Sequence, residues 1–142
     1  MKLAVFGTQN ELETALTSLK IEPEEVHAPS EFTIDSICKA RKITLKKYGI
    51  DWDSIDLPNA LVKINKNGKE YNARAPMVRN SMILDNATHV LLLGQDNGNQ
   101  YIEKNVSWIK KNGGNIELLK WPKPQEPVAT VTQDVPEDDI PF

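Results

Sequence analysis

Cysteine is almost missing from this chain: Cys38 is the only one in 142 residues. An internal disulfide is therefore excluded, and a reducing cytoplasm fits the composition. Long apolar runs are missing too. None approaches the roughly 20 residues of a membrane-spanning helix. The opening Met1-Lys2-Leu3-Ala4-Val5-Phe6-Gly7 is too short for a secretory signal and reads as a first buried strand. The two histidines, His27 and His89, have no Cys or His partner at metal-ligand spacing, so no metal and no cofactor is expected. There is no complete GxGxxG and no Walker A motif, and no internal repeat.

Charge is present but uneven. The net −3 divides into −4 on residues 122–142, where Lys123 faces five acids, and +1 on residues 1–121. Within the body, residues 39–79 hold ten basic side chains against four acids, a local +6. A solvated lysine-rich surface is the ordinary meaning of such a run. The sharper meaning is a face for a nucleotide, a nucleic acid or the chain's own tail.

Apolar spacing predicts alternating elements. Leu3 to Phe6 is a strand, and Leu12, Ala15, Leu16 and Leu19 mark a helix. Glu25-Val26-His27 is a second strand. Thr33 to Tyr48 is predicted as one helix, with Ile34, Ile37, Cys38, Leu45 and Tyr48 on one face and Gly49 as its stop. Ile55 to Leu57 is predicted as a strand. A hairpin, within 60–72, is expected around Asn67-Gly68. Pro76 opens a helix through Leu84. His89 to Leu93 is a buried parallel strand, with His89 a structural histidine inside it. A helix from Asn99 or Gln100 to about Lys111 points Ile102, Val106 and Ile109 inward, with Trp108 assigned to packing. Ile116 to Leu119 is the last strand. This alternation predicts an α/β fold, a Rossmann-like three-layer sandwich around a mostly parallel sheet, over residues 1–121. Residues 122–142 hold five of the nine prolines and too little apolar material for a core, so they read as a disordered acidic tail.

In such sheets ligands bind beyond the carboxyl ends of the strands. Two loops belong there: Gly7-Thr8-Gln9, and Gly94-Gln95-Asp96-Asn97-Gly98-Asn99. Glycines let a backbone approach a phosphate, and helix N-termini present free N–H groups. Arg79 offers a bidentate fork to a phosphate. Asn80 suits a base or ribose, and Thr8 a phosphate oxygen. An ion pair packing a helix is the equal alternative for Arg79. Asp85 and Asp96 are candidate acid/base groups, with helix-end roles preferred. Cys38 belongs to the core rather than to catalysis.

Ala75-Pro76-Met77-Val78-Arg79-Asn80 opens a helix, and Asp85-Asn86-Ala87-Thr88-His89-Val90-Leu91-Leu92-Leu93 follows it. A Gly-containing loop, a helix and an apolar strand come next. This order resembles the YspA-like branch of the SLOG superfamily, where a Gly-Pro-x-Arg-Asn helix start precedes an Ala-Asp strand and a Gly-Thr loop. Val5-Phe6-Gly7-Thr8 is similar to that branch's first strand and Gly-Ser-Arg loop. Departures are visible. Gln9 stands where Arg is usual, Asn99 rather than Thr follows Gly98, and Ala28-Pro29-Ser30-Glu31 replaces a Gly-rich turn. The Pro-Gly-Gly-x-Gly-Thr motif of the hydrolytic relatives is missing. The resemblance implies a nucleotide or nucleotide-derived ligand at Gly7, Thr8, Gln9, Arg79, Asn80, Gly94, Gly98 and Asn99, with no catalytic residue assigned.

The last five residues, Asp138-Asp139-Ile140-Pro141-Phe142, resemble the tip of bacterial single-stranded DNA-binding proteins. In that family the tip docks on replication, recombination and repair enzymes. The resemblance implies the same class of partner here. The leading expectation is a non-enzymatic adaptor, of bacterial or phage origin: a body that binds a nucleotide or nucleic acid, and a tip that docks on DNA-metabolism enzymes, which a phage-encoded mimic would use to recruit or block them. A SLOG-type nucleotide N-glycosidase is the first alternative. A single-stranded DNA-binding protein is the second, opposed by an aromatic content of 6% and by a pattern unlike a Greek-key barrel. A homo-oligomer is compatible with the sequence.

Overall fold

A computed structural model of the protein describes residues 1–122. The expected tail beyond them, with Asp138, Asp139, Ile140, Pro141 and Phe142, lies outside the described residues. The first half of the body runs β1 (Lys2–Gly7), α1 (Leu12–Ser18), β2 (Glu25–Pro29), α2 (Asp35–Ala40) and β3 (Thr44–Tyr48). The second half runs β4 (Val62–Ile64), β5 (Glu70–Asn72), α3 (Ala75–Asp85), β6 (His89–Leu93), α4 (Asn99–Lys111) and β7 (Glu117–Trp121).

Five strands form one parallel sheet in the order β3-β2-β1-β6-β7. The apolar runs dictate this. In β6, Leu91 and Leu93 face one side of the sheet, while Val90 and Leu92 face the other. A strand apolar on both faces must be covered on both. Leu12, Leu16 and Cys38, from α1 and α2, cover the face of Leu3, Val5, Val26 and Leu91. Ile83, Leu84, Ile102 and Val106, from α3 and α4, cover the face of Ala4, Phe6, Val90 and Leu92. The result is the expected three-layer, Rossmann-like sandwich. Burial pushes the Cys38 thiol above its ordinary range, and the nearby Asp35 adds to this. Among the described residues no helix is long and apolar enough to cross a membrane.

The predicted single helix over 33–48 is corrected. It ends at Ala40, Lys42 takes a left-handed φ of 60°, and residues 44–48 pair with β2 as an edge strand. The expected strand at Ile55 to Leu57 forms turns instead. The hairpin exists as β4 and β5, paired from Val62↔Asn72 to Ile64↔Glu70 in a small separate sheet. It belongs to an excursion between β3 and α3 that is tied together by Asn72.

The buried histidine is His27, not His89, which is half-buried beside Thr88. His27 is 1% exposed. Its Nε2 donates to Glu25 at 2.9 Å, and its Nδ1 lies 2.7 Å from the Tyr48 hydroxyl. A carboxylate only accepts, so the neutral ring carries its proton on Nε2 and Tyr48 donates to Nδ1. The His27 hydrogen bond holds the Glu25 carboxyl below its ordinary 4.5, with attraction from Lys46 adding to it. A carboxyl lowered on folding stabilises the fold above its unfolded value, and the contribution fades as pH falls through the folded value. Wild type is therefore expected to melt higher than Glu25→Gln above pH 4.5, with the two curves converging in more acidic buffer. Melting-temperature profiles against pH check this, and parallel profiles exclude it.

Candidate functional site

The connection from β1 through α1 moves to one side of β1, whereas the connection from β3 through α3 returns to the other. The carboxyl ends of β1 and β6 therefore part at the sheet's switch point, where a crevice is expected. A cleft of about 360 Å³ lies there. Of the eight residues nominated from the sequence as ligand contacts, six line it: Gly7, Gln9, Arg79, Asn80, Gly98 and Asn99. The other two lie beside it. Gly94 borders an adjoining hollow that shares Asp96 and Asn99. The side chain of the exposed Thr8 occupies the space that a Cβ on Gly94 would need.

The two glycines hold the strand ends together. Gly7 has φ +97°, and a Cβ there would overlap the Leu93 carbonyl and press on the Asn99 carboxamide. That carbonyl accepts from the Thr8 N–H at 2.9 Å and from Asn99 Nδ2 at 3.3 Å. Asn99 Nδ2 also reaches the Gly94 carbonyl at 3.4 Å. Asn99 thus fastens the first turn of α4 to the end of β6. The same close approach brings the β1 and β6 loops to one edge.

Arg79 is both a cleft residue and an ion-pair member, so the two readings of it coexist. Helix α3 carries it inward until only 8% of it is exposed. Its Nη1 donates to Glu31 at 3.0 Å and its Nε to Asn80 Oδ1 at 2.8 Å. Its Nη2 has no protein partner among the described residues. Gln9 Oε1 accepts from the Thr33 N–H at 2.6 Å and the Thr33 hydroxyl at 3.3 Å, which leaves the Gln9 amide group as a donor. The Asn80 amide group is likewise available. Opposite these donors stand acceptors. Asp96 accepts from the Gly98 N–H at 2.7 Å in the loop just before α4, so the protein's own carboxylate sits near the helix end that attracts anions. Glu31 is a second acid in the cleft.

The sequence reading missed Glu31, Pro29 and Phe32, which complete the wall. The signal was available. Pro29 ends β2, and Glu31 and Phe32 follow it; the carboxyl end of β2 reaches the same sheet edge as those of β1 and β6. The basic segment 39–79 is largely engaged within the protein. Lys47 bonds Asp35 and the Phe32 carbonyl, Lys69 pairs with Asp53, Arg74 holds the Asn59 carbonyl, Arg41 the Thr17 hydroxyl, and Lys46 stands 3.9 Å from Glu25. Among the described residues no group of three or more His, Cys, Asp or Glu is placed to hold a metal ion.

The expected packing role of Trp108 is also corrected, since it is 66% exposed. Trp52 is exposed as well, edge-on to Tyr71 at 6.0 Å. Trp121 packs against the core that α1 and α2 cover. Comparison with known proteins finds no family model, no curated protein and no solved structure that matches the chain.

Proposed function

We propose that the protein is a non-enzymatic adaptor: its body holds a nucleotide in the Arg79 cleft, and its Asp-Asp-Ile-Pro-Phe segment docks on DNA replication and repair proteins. What supports the first half is the meeting of Gly7, Gln9, Arg79, Asn80, Gly98 and Asn99 in one cleft at the switch point. The charges there narrow the ligand. One arginine faces two carboxylates, which suits a ligand with a single phosphate and several hydroxyl or amino donors. A nucleoside monophosphate has that chemistry. Its phosphate takes the Arg79 fork in place of Glu31, and Asp96 accepts from ribose or base.

This competition gives opposite outcomes for two variants. Arg79→Ala is expected to weaken nucleoside monophosphate binding about 10- to 150-fold, the range of a lost charge-assisted bond. Glu31→Gln is expected to strengthen it several-fold, because the guanidinium is no longer occupied. Calorimetric titration reads both. Equal affinities across wild type, Arg79→Ala and Glu31→Gln remove the cleft from the proposal.

The docking half rests on residues 138–142. Burying the Phe142 ring contributes about 1.5–3 kcal/mol. Pro141 fixes its own φ and holds Ile140 extended, which lowers the cost of ordering. Asp138 and Asp139 favour a basic rim on the partner. A peptide of residues 134–142 is expected to compete for enzymes that recognise the single-stranded DNA-binding protein tip, with competition lost when Phe142 is deleted. Capture of the same enzymes by full-length and tail-deleted protein would end this half of the proposal. A cytoplasmic location goes with such partners.

A second reading, a nucleotide N-glycosidase, is favoured by one observation: Glu31 and Asp96 line the same cleft as Arg79, as an acid/base group must. Release of free base from a nucleoside monophosphate, lost in Asp96→Asn, selects that reading over the adaptor.

A further inference from the structure

Helix α4 carries a feature that the cleft does not use. Tyr101, Lys104, Trp108 and Lys111 lie at i, i+3, i+7 and i+10. At 3.6 residues per turn they share a stripe about 80° wide. Ile102 and Val106 point from the same helix into the core, so the stripe faces away from the protein. Tyr101 is 62% and Trp108 66% exposed. A single exposed aromatic is ordinary, but two on one stripe, interleaved with lysines, form a pattern. The Lys104 ammonium lies over one face of the Tyr101 ring, 5.9 Å from its centre, so cation and aromatic already share one place on the stripe. The one acid on α4, Glu103, is turned to Lys120. Lys104, Lys110 and Lys111 are left uncompensated along the helix among the described residues.

We infer that this stripe binds single-stranded nucleic acid, with bases stacked on Tyr101 and Trp108 and phosphates on Lys104 and Lys111. Seven residues of helix separate the two Cα atoms by about 10 Å along the axis, room for a base on each ring. Aromatic platforms threaded by cations are how unpaired strands are held without regard to sequence. A duplex has its base faces already stacked and offers nothing to the two rings. A second copy of this chain fits the stripe poorly. Two-fold pairing of α4 sets lysines against lysines with no acid between them, and like charges facing each other oppose association. The charge and the rings together select a polyanion with free aromatic faces.

This inference stands apart from the Arg79 cleft, and its test separates the two. A fluorescein-labelled oligothymidine of about twelve nucleotides is titrated with the full chain at several salt concentrations. Tyr101→Ala with Trp108→Ala is expected to weaken binding about 30-fold or more, the loss of two stacked bases. Lys104→Gln with Lys111→Gln is expected to lower the slope of log affinity against log salt by about 1.4. Arg79→Ala leaves oligonucleotide binding unchanged while it weakens the mononucleotide. All four α4 residues are exposed, so melting temperatures confirm folding in each variant. Unchanged oligonucleotide affinity in the aromatic double variant overturns the inference. So does equally tight binding of a blunt duplex. A concentration-dependent dimer that the aromatic variant dissolves, with no oligonucleotide bound, assigns the stripe to self-association instead.

Discussion

Gly7→Ala is expected to cost about 2–5 kcal/mol of folding stability, from left-handed backbone strain and steric overlap together. The position has φ +97°, which alone disfavours a Cβ. The added methyl also meets the backbone carbonyl of Leu93 and the Asn99 side chain. That carbonyl cannot retreat cheaply, because it accepts from both Thr8 and Asn99. Gly68 supplies the comparison. It has φ +79° and nothing within 4 Å of where its Cβ would stand, so Gly68→Ala carries backbone strain only, about 1–2 kcal/mol. Urea unfolding of both variants isolates the contact between strand ends. If the two destabilise equally, the close approach of β1 to β6 is not what requires glycine at position 7.

Asn72→Ala is expected to cost about 2–4 kcal/mol, from the part-buried hydrogen bonds of its carboxamide lost together. Asn72 is completely buried. Its carboxamide oxygen accepts from the N–H groups of Leu61 at 3.1 Å and Arg74 at 2.9 Å. Its amide group donates to the Ser54 carbonyl and hydroxyl, both at 3.2 Å. One side chain thereby joins three separate stretches of the excursion between β3 and α3. The loss falls mainly on that excursion, since the parallel sheet has its own core. Amide exchange at Leu61 and Arg74 is expected to accelerate, along with protease cleavage within 50–74, while β1 and β6 stay protected. Unaltered exchange at Leu61 and Arg74 would show that the carboxamide is not the fastener.

The legible parts of the fold were those where both sides of an element are apolar or where helical period is long. The run Val90-Leu91-Leu92-Leu93 admits little besides a central strand, and α4 shows its period over thirteen residues. The error at 33–48 has a physical source. As an edge strand, β3 buries no residue fully. Its Thr44-Leu45-Lys46-Lys47-Tyr48 therefore shows no two-residue alternation, and Leu45 and Tyr48 fit a helical face by chance. The break at Lys42 is made without glycine or proline, so nothing marked it. The polar role of Asn72 was invisible for a different reason. Its partners come from Ser54 and Leu61, and only the folded excursion brings them together. The cleft was legible in so far as the strand-end rule was applied. Extending that rule to β2 would have added Glu31, the residue that most alters the charge of the site.

The sheet order has a consequence for how the chain acquires its structure during synthesis. β1 lies at the centre of the sheet, but Leu3 finds its partner on one side at Val26 and on the other only at His89. On the ribosome, β1, β2 and β3 emerge together and can assemble as a three-stranded unit. One flank of the innermost strand then stays unpaired until the second half is translated. Phe6 and Ala4 also await the helices that cover them. A nascent chain paused before residue 89 therefore exposes an open strand edge and an apolar face at once, the combination that invites aggregation. Translation speed across 50–88 sets how long that vulnerable half-sheet persists.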